Sequence, residues 1–252
     1  ALYESLAAGD PNGRQALIAR VLAQDLEAAP GTRSVYSDLG FIVLGLTLER
    51  VSGKRIDVLA RDLVFEPLGM TSTQFVDLLA KPRAPRPHPV APTEVCPWRG
   101  LVAGEVHDDN CHKAGGVLGH AGLFSTARDL SALCAALVAA WRGAAVSRAW
   151  IARDVAREFL APAGTKSSTW SLGWDGPAPL PGVSQSGQLW PRRDAVGHMG
   201  FTGCSVWIDL QASRWVVLLT NRVHPARSDD RIKQVRPLVH DAIVRVLTAR
   251  TD

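Results

Sequence analysis

The sequence predicts an α+β fold, with helices early and an antiparallel sheet late. Three observations lead there. Apolar residues recur at helical spacing in three segments before residue 66, and again in a segment that starts near Thr126 and runs to about Trp141. Two runs of strand length, Cys204–Asp209 and Arg214–Thr220, come after residue 200 and are joined by the hairpin-sized Leu210-Gln-Ala-Ser213. No internal repeat breaks that order, so an all-helical half followed by a sheet-forming half is the simplest architecture.

Each element has a local reason. Residues 1–29 read as helical, interrupted by the turn Asp10-Pro11-Asn12-Gly13, with Leu17, Ile18, Val21, Leu22 and Leu26 as the stripe and Pro30-Gly31 as the stop. Leu39–Val51 is predicted as a second helix, with Ser37 or Asp38 as its N-cap and Ser52-Gly53 as its end. Its Leu39–Leu48 part is the most apolar run in the chain and reads as a buried core helix. Ile56–Phe65 gives a third, closed by Pro67-Leu68-Gly69-Met70. Six prolines between 81 and 98 predict an extended, polyproline-like excursion. Ser125 or Thr126 then caps the next helix, with Asp129 completing a box-like start. The last helix is predicted from Ser228 to Leu247, burying Ile232, Val235, Val239, Ile243 and Val246, with Pro237 as an interior defect.

Composition excludes several classes. The 252 residues are 46% hydrophobic and 21% charged, enough for a sizeable core and too apolar for general disorder. The net charge of +4 is carried mostly by scattered arginines, which argues against a nucleic-acid partner. No apolar run reaches the roughly 20 residues of a membrane span. The four cysteines, Cys96, Cys111, Cys134 and Cys204, form no C-x-x-C pair and read as unpaired thiols, with a Cys96–Cys111 bridge left open.

One of only two tyrosines stands in Ser34-Val-Tyr36-Ser-Asp38-Leu-Gly-Phe-Ile-Val-Leu-Gly45, at the mouth of the apolar run. Two further stretches carry chemistry: Gly115-Gly-Val-Leu-Gly-His120-Ala-Gly122-Leu-Phe-Ser-Thr-Ala-Arg-Asp-Leu130, and Gly197-His-Met-Gly200-Phe-Thr-Gly-Cys-Ser-Val-Trp-Ile-Asp-Leu210 followed by Val216–Pro225. In this order, from about residue 15 to the end, they resemble the serine β-lactamase and penicillin-binding-protein superfamily, and within it the class C and esterase-like branch. The resemblance implies a β-lactamase/transpeptidase-like fold: an antiparallel sheet flanked by helices, joined to a helical lobe, with the site between them. It implies one domain over 1–252, with the lobe mainly at 30–160 and the sheet-forming part mainly at 165–252.

It also implies acyl transfer through a covalent acyl-serine, with no cofactor, on a small-molecule or peptide acyl substrate. Three motifs carry that chemistry: Ser-x-x-Lys, a Tyr-x-Asn-type triplet and a Lys-Thr-Gly-like triplet on a strand. Tyr36 then stands as base or proton relay, which requires nearby positive charge because a free phenol titrates near 10. Asp38 takes the Asn position and can accept hydrogen bonds but, when ionised, not donate them. His198-Met199-Gly200 takes the strand motif, with His198 as cation or donor. Gly200 lets a substrate backbone come close, and the N–H of Phe201 serves as one oxyanion donor. His120 and Gly122 fall on the substrate side. Met199 lacks the hydroxyl that would bind a carboxylate, which points away from efficient β-lactam hydrolysis unless Thr202 or an arginine compensates.

No serine in the sequence has a lysine three positions later. The expectation is that the nucleophile and the first strands lie upstream of Ala1, and that the chain by itself is inactive. Two other readings compete. A relative without the serine would be a binding module. Alternatively, His107, Asp108, Asp109, Cys111, His112 and His120 offer ligand types for zinc; against that, Asp108 and His120 are expected to order the loop beside the cleft.

Overall fold

A computed structural model describes residues 2–81, 89–143, 150–163, 168–179 and 184–249. The chain divides into two compact units, residues 1–129 and 130–252. The first contains α1 (Gly13–Leu22), α2 (Asp38–Ser52) and α3 (Ile56–Ala60), which runs on into a π-helical turn at Arg61–Phe65. After them come β1 (Gln74–Phe75), β2 (Val95–Cys96), β3 (Gly100–Leu101), α4 (Asp109–Lys113) and β4 (Leu123–Phe124). Two small antiparallel ladders join β1 to β4 and β2 to β3.

Leu6, Leu17, Val21, Ile42, Val106, Cys111, Ala114 and Leu118 form the core of this unit. α1 is shorter than the sequence predicts. Of its stripe, Leu17 and Val21 are buried, while Leu22 and Leu26 are 64% and 77% exposed. No burial rewards continuing the helix past Leu22, and helices this short depend on tertiary packing.

α2 starts and stops within one residue of the predicted bounds. Ser37 is its N-cap residue, without a side-chain cap bond, and Gly53 ends it in the left-handed conformation. The expected full burial is corrected. Only Ile42 and Gly45 are buried, whereas Leu44, Leu48 and Val51 are exposed. Hydrophobicity marked the helix, but one stripe alone packs on the core.

α5 (Ala127–Arg142) begins at the end of the first unit. The Thr126 hydroxyl accepts the N–H of Asp129 at 3.3 Å, which makes Thr126 the cap. The Asp129 side chain does not complete the expected box. Its carboxylate, buried at 3% exposure, accepts the Ser72 N–H at 2.7 Å and the Thr73 hydroxyl at 2.8 Å.

In the second unit, α5 is followed by α6 (Arg153–Leu160), β5 (Ala195–Met199), β6 (Ser205–Asp209), β7 (Arg214–Leu218) and α7 (Ile232–Thr248). The three strands form one antiparallel sheet in the order β5-β6-β7, with Gly197 opposite Trp207 and Trp207 opposite Val216. Side chains alternate across it. Val196 and Ile208 pack on Cys134, Leu137, Val138 and Leu160. Ala195, Trp207 and Val216 pack on Trp190 and Val244. The β6–β7 turn is tied by Asp209, whose carboxylate accepts the Ala212 N–H and the Arg214 Nε–H, both at 2.9 Å.

α7 ends within one residue of its predicted end but starts four residues late, at Ile232, and it shows a different face. The buried residues are Arg236, Pro237, His240, Asp241 and Val244, while Val235 and Val246 are exposed. Polar partners decide this. Leu189 N–H donates to Asp241 at 2.8 Å, and Ser205 Oγ lies 3.3 Å from His240 Nε2. Burial pushes the His240 imidazole down to about 4, so it is neutral at physiological pH. The four cysteines are free thiols. Residues 82–88 of the predicted proline-rich excursion lie outside the described residues; of the rest, 95–96 form β2.

Asp129→Ala removes the buried acceptor shared by the Ser72 N–H and the Thr73 hydroxyl. We expect it to lower the unfolding free energy by about 2 kcal/mol, measured by urea denaturation; an unchanged midpoint would contradict this account of the α5 start.

Candidate active site

In the first unit the site is built on the packing of α2 against the loop 115–122. A Cβ at Gly119 would collide with the Phe41 carbonyl oxygen, and one at Gly45 would come within 3.0 Å of the Gly119 Cα. Backbone therefore meets backbone there, which sets the first turn of α2 beside His120. Gly122 has φ +113, and a Cβ on it would strike the Gly116 carbonyl. Its glycine is accounted for by the loop itself.

Asp38 is the first residue of α2, where its charge opposes the positive end of the helix dipole. One ligand atom each from Asp38, Asp108 and His120 lie within 4.8 Å of one another. His120 Nε2 is 2.9 Å from Asp108 Oδ1, and the His120 side chain is only 3% exposed. Asp108 also caps α4, accepting the Cys111 N–H at 2.7 Å. Burial alone would raise the Asp108 pKa, but the bonds from His120 and Cys111 hold it below the usual carboxylate value. Tyr36 is 63% exposed. Partial burial, and then the charge of Asp38, push its phenol above the ordinary tyrosine value.

The other ligand types near residue 110 disperse. His112 lies 3.3 Å from Glu105 and edge-on to Trp98, and burial lowers its pKa. Asp109 pairs with Arg99 at 3.0 Å. The Cys111 thiol donates to the Ala121 carbonyl, and burial pushes its pKa well up. A shared zinc site from residues 107–112 is thus not what the fold assembles. Asp108 and His120 meet each other and Asp38, which is 70 residues upstream of Asp108 in sequence.

In the second unit, β5 delivers His198 and Met199 at its end, with Gly200 next. His198 Nδ1 is 2.9 Å from the Met199 carbonyl, to which it donates, and Trp170 lies against the ring at 5.8 Å. The turn after β5 is closed by Gly200 N–H to the Cys204 carbonyl at 2.8 Å. Phe201 is 58% exposed; its carbonyl accepts Arg222 Nε–H at 2.9 Å, and the guanidinium sits 4.7 Å from its ring.

Arg236 was not singled out from the sequence. It is buried at 4% exposure, donates to Gln185 Oε1 and the Gly203 carbonyl at 2.8 Å each, and approaches Met199 Sδ at 3.3 Å. Burial lowers its pKa from the usual guanidinium value. An arginine inside a helical stripe was its only sequence signal.

The sequence matches the family profile described as Beta-lactamase over residues 2–240. The chain belongs to the beta-lactamase family.

Two curated relatives within reach are a "Putative D-alanyl-D-alanine carboxypeptidase" of Escherichia coli K12 and an "N-acetylmuramyl-L-alanine amidase" of Bacillus subtilis 168. The first is 29% identical over 222 residues, covering 81% of this chain and 48% of its own length. The second is 31% identical over 214 residues, covering 79% and 46%. The chain thus spans about half the length of the curated relatives it matches. A solved beta-lactamase from Mycobacterium bovis is 21% identical with a TM-score of 0.60, covering 95% of this chain and 76% of that one. That likeness shows a beta-lactamase/transpeptidase-like fold, and the family is one of serine hydrolases.

Two outcomes follow for this member of the beta-lactamase family. In a Tyr3→Phe background, Asp38→Asn lowers the midpoint of Tyr36 ionisation, read by phenolate absorbance; an unmoved midpoint would remove Asp38 as a cause of the upward shift. The two glycines flanking the β5 end should also separate. A Cβ at Gly197 would overlap the Trp207 ring, whereas at Gly200 the nearest contact is an ordinary 3.5 Å to Cys204 Cβ. Gly197→Ala is expected to cost about 1–3 kcal/mol by overpacking, and Gly200→Ala to leave thermal stability unchanged.

Proposed function

We propose that the chain carries the base-bearing and strand-bearing parts of an acyl-transfer serine hydrolase site for an ester or amide. The observation that carries this reading is Tyr36, exposed at the head of α2, with Asp38 two residues on and uninvolved in capping. In the reaction, a serine oxygen bonds to the substrate carbonyl carbon as its proton passes to the Tyr36 oxygen. Collapse breaks the ester C–O or amide C–N bond, and that proton leaves with the alcohol or amine. Water then repeats the sequence and releases the acid.

Tyr36 takes a proton readily only as phenolate, and its own surroundings raise its pKa. A cation from the nucleophile segment, such as the lysine of Ser-x-x-Lys, therefore has to oppose Asp38 and the burial. Asp38 orients that cation. Gly200 supports a substrate edge, because no neighbour among the described residues requires a glycine there. The Phe201 N–H and the nucleophile's own N–H receive the oxyanion. The names of both relatives describe amide hydrolysis, which supports a peptide substrate, and Met199 supports one other than a β-lactam.

No Ser-x-x-Lys occurs among the 252 residues. We expect the chain alone to show no Tyr36-dependent hydrolysis of an activated ester. Joined to a segment that supplies Ser-x-x-Lys, it should hydrolyse an ester or a D-alanyl peptide, and Tyr36→Phe should cut that rate by about 100-fold or more. Turnover by the chain alone that disappears with Tyr36→Phe, or a joined protein indifferent to that change, would overturn the reading.

A further inference from the structure

We propose that Asp38, Asp108 and His120 form a binding site for one divalent transition-metal ion of the zinc or manganese type. The donor atoms of these three side chains lie within 4.8 Å of one another, and two of them are carboxylates. Carboxylates this close repel unless a positive charge lies between or beside them. Among the described residues, neither has a lysine or arginine partner; the positive groups beside Asp108 are the imidazoles of His120 and His107.

A second observation concerns the imidazole. The His120 side chain is only 3% exposed, and its Nε2 faces Asp108, which fixes the one nitrogen donor of the cluster in place. A nearly buried imidazole with its Nε2 at the Asp108 carboxylate supplies the nitrogen of a mixed N,O donor set. Two oxygens and one nitrogen, without thiolate, suit zinc, manganese or iron(II) better than copper(I). The one nearby thiol, Cys111, is turned away onto the Ala121 carbonyl.

The dimensions are compatible with such an ion. Metal–ligand distances of about 2.0–2.2 Å put tetrahedral donors roughly 3.3–3.5 Å apart. The Asp108–His120 pair stands at the 2.9 Å of a hydrogen bond, so an ion would displace the Nε2 proton to solvent and part the two atoms by a few tenths of an ångström. Asp38 is exposed on the first turn of α2, so its side chain can close the remaining gap by rotation. Three protein donors leave a fourth position open to water. All three residues belong to the first unit, on α2, the residue before α4 and the glycine-rich loop. The site shares Asp38 with the acyl-transfer reading, but its test needs neither a serine nor a substrate.

The test uses the whole chain, stripped with chelator and titrated calorimetrically with zinc and then manganese chloride. We expect one equivalent of zinc to bind tighter than 10 µM, taken as an order-of-magnitude threshold of about 7 kcal/mol. Asp38→Asn, His120→Gln and Asp108→Asn should each weaken it at least about tenfold. His112→Gln, which alters a histidine outside the site, should leave it unchanged. Asp38→Asn is the decisive variant: Asp38 is exposed and caps nothing, so its fold is expected to survive, checked by circular dichroism. Zinc binding that Asp38→Asn leaves intact, or no binding above millimolar affinity, overturns the proposal. Both readings use Asp38, but one is read by zinc binding to the chain and the other by Tyr36-dependent turnover of the joined protein, so they fail separately.

Discussion

The close approach of α2 to the loop 115–122 is the constraint on which the candidate site depends. Gly45 and Gly119 let two backbones meet where any side chain would hold them apart. Because the contact lies two turns into α2, it fixes both the height and the rotation of the helix. Its first turn, with Asp38, is then committed to the neighbourhood of His120. Asp108 completes the arrangement from the other direction, since the same carboxylate that caps α4 also holds the imidazole. One side chain thus links a helix terminus, a loop and a prospective reaction centre, and none of the three can shift alone.

The second unit solves a different problem. Its three-stranded sheet is apolar on both faces, but the turn that follows β5 is held from beneath by the buried Arg236 guanidinium. A charge in that position costs desolvation and is tolerated because two of its nitrogens have good oxygen partners. The arrangement stiffens residues 199–203 through backbone and sulfur contacts, so their geometry is set by the C-terminal helix as much as by the sheet.

What could be read from the sequence followed the range of the forces involved. α2 was legible to within a residue because its apolar run begins with the helix and its stop is local, a glycine in the left-handed conformation. The β6–β7 hairpin was legible for the same reason. The full burial of α2 and the length of α1 were misjudged, since hydrophobicity does not say which stripe finds a partner. The face of α7 was misread because it is chosen by polar groups 30 to 60 residues away, namely Gln185, Leu189, Gly203 and Ser205. At the candidate site, Asp38, Asp108 and His120 each drew notice, but their meeting depends on a glycine contact that has no periodicity to detect. Arg236 gave no signal beyond its residue type.

The polar inner face of α7 has a consequence for how the end of the chain finds its place. A helix docked by leucines and valines can rotate or slip by a residue and still satisfy much of its interface. A helix docked by an arginine, a histidine and an aspartate cannot, because each misplacement leaves a charge or a donor buried without a mate. The last segment therefore behaves as a key cut for one lock. Its outward apolar residues are free to vary, while the few polar ones inside encode the docking angle.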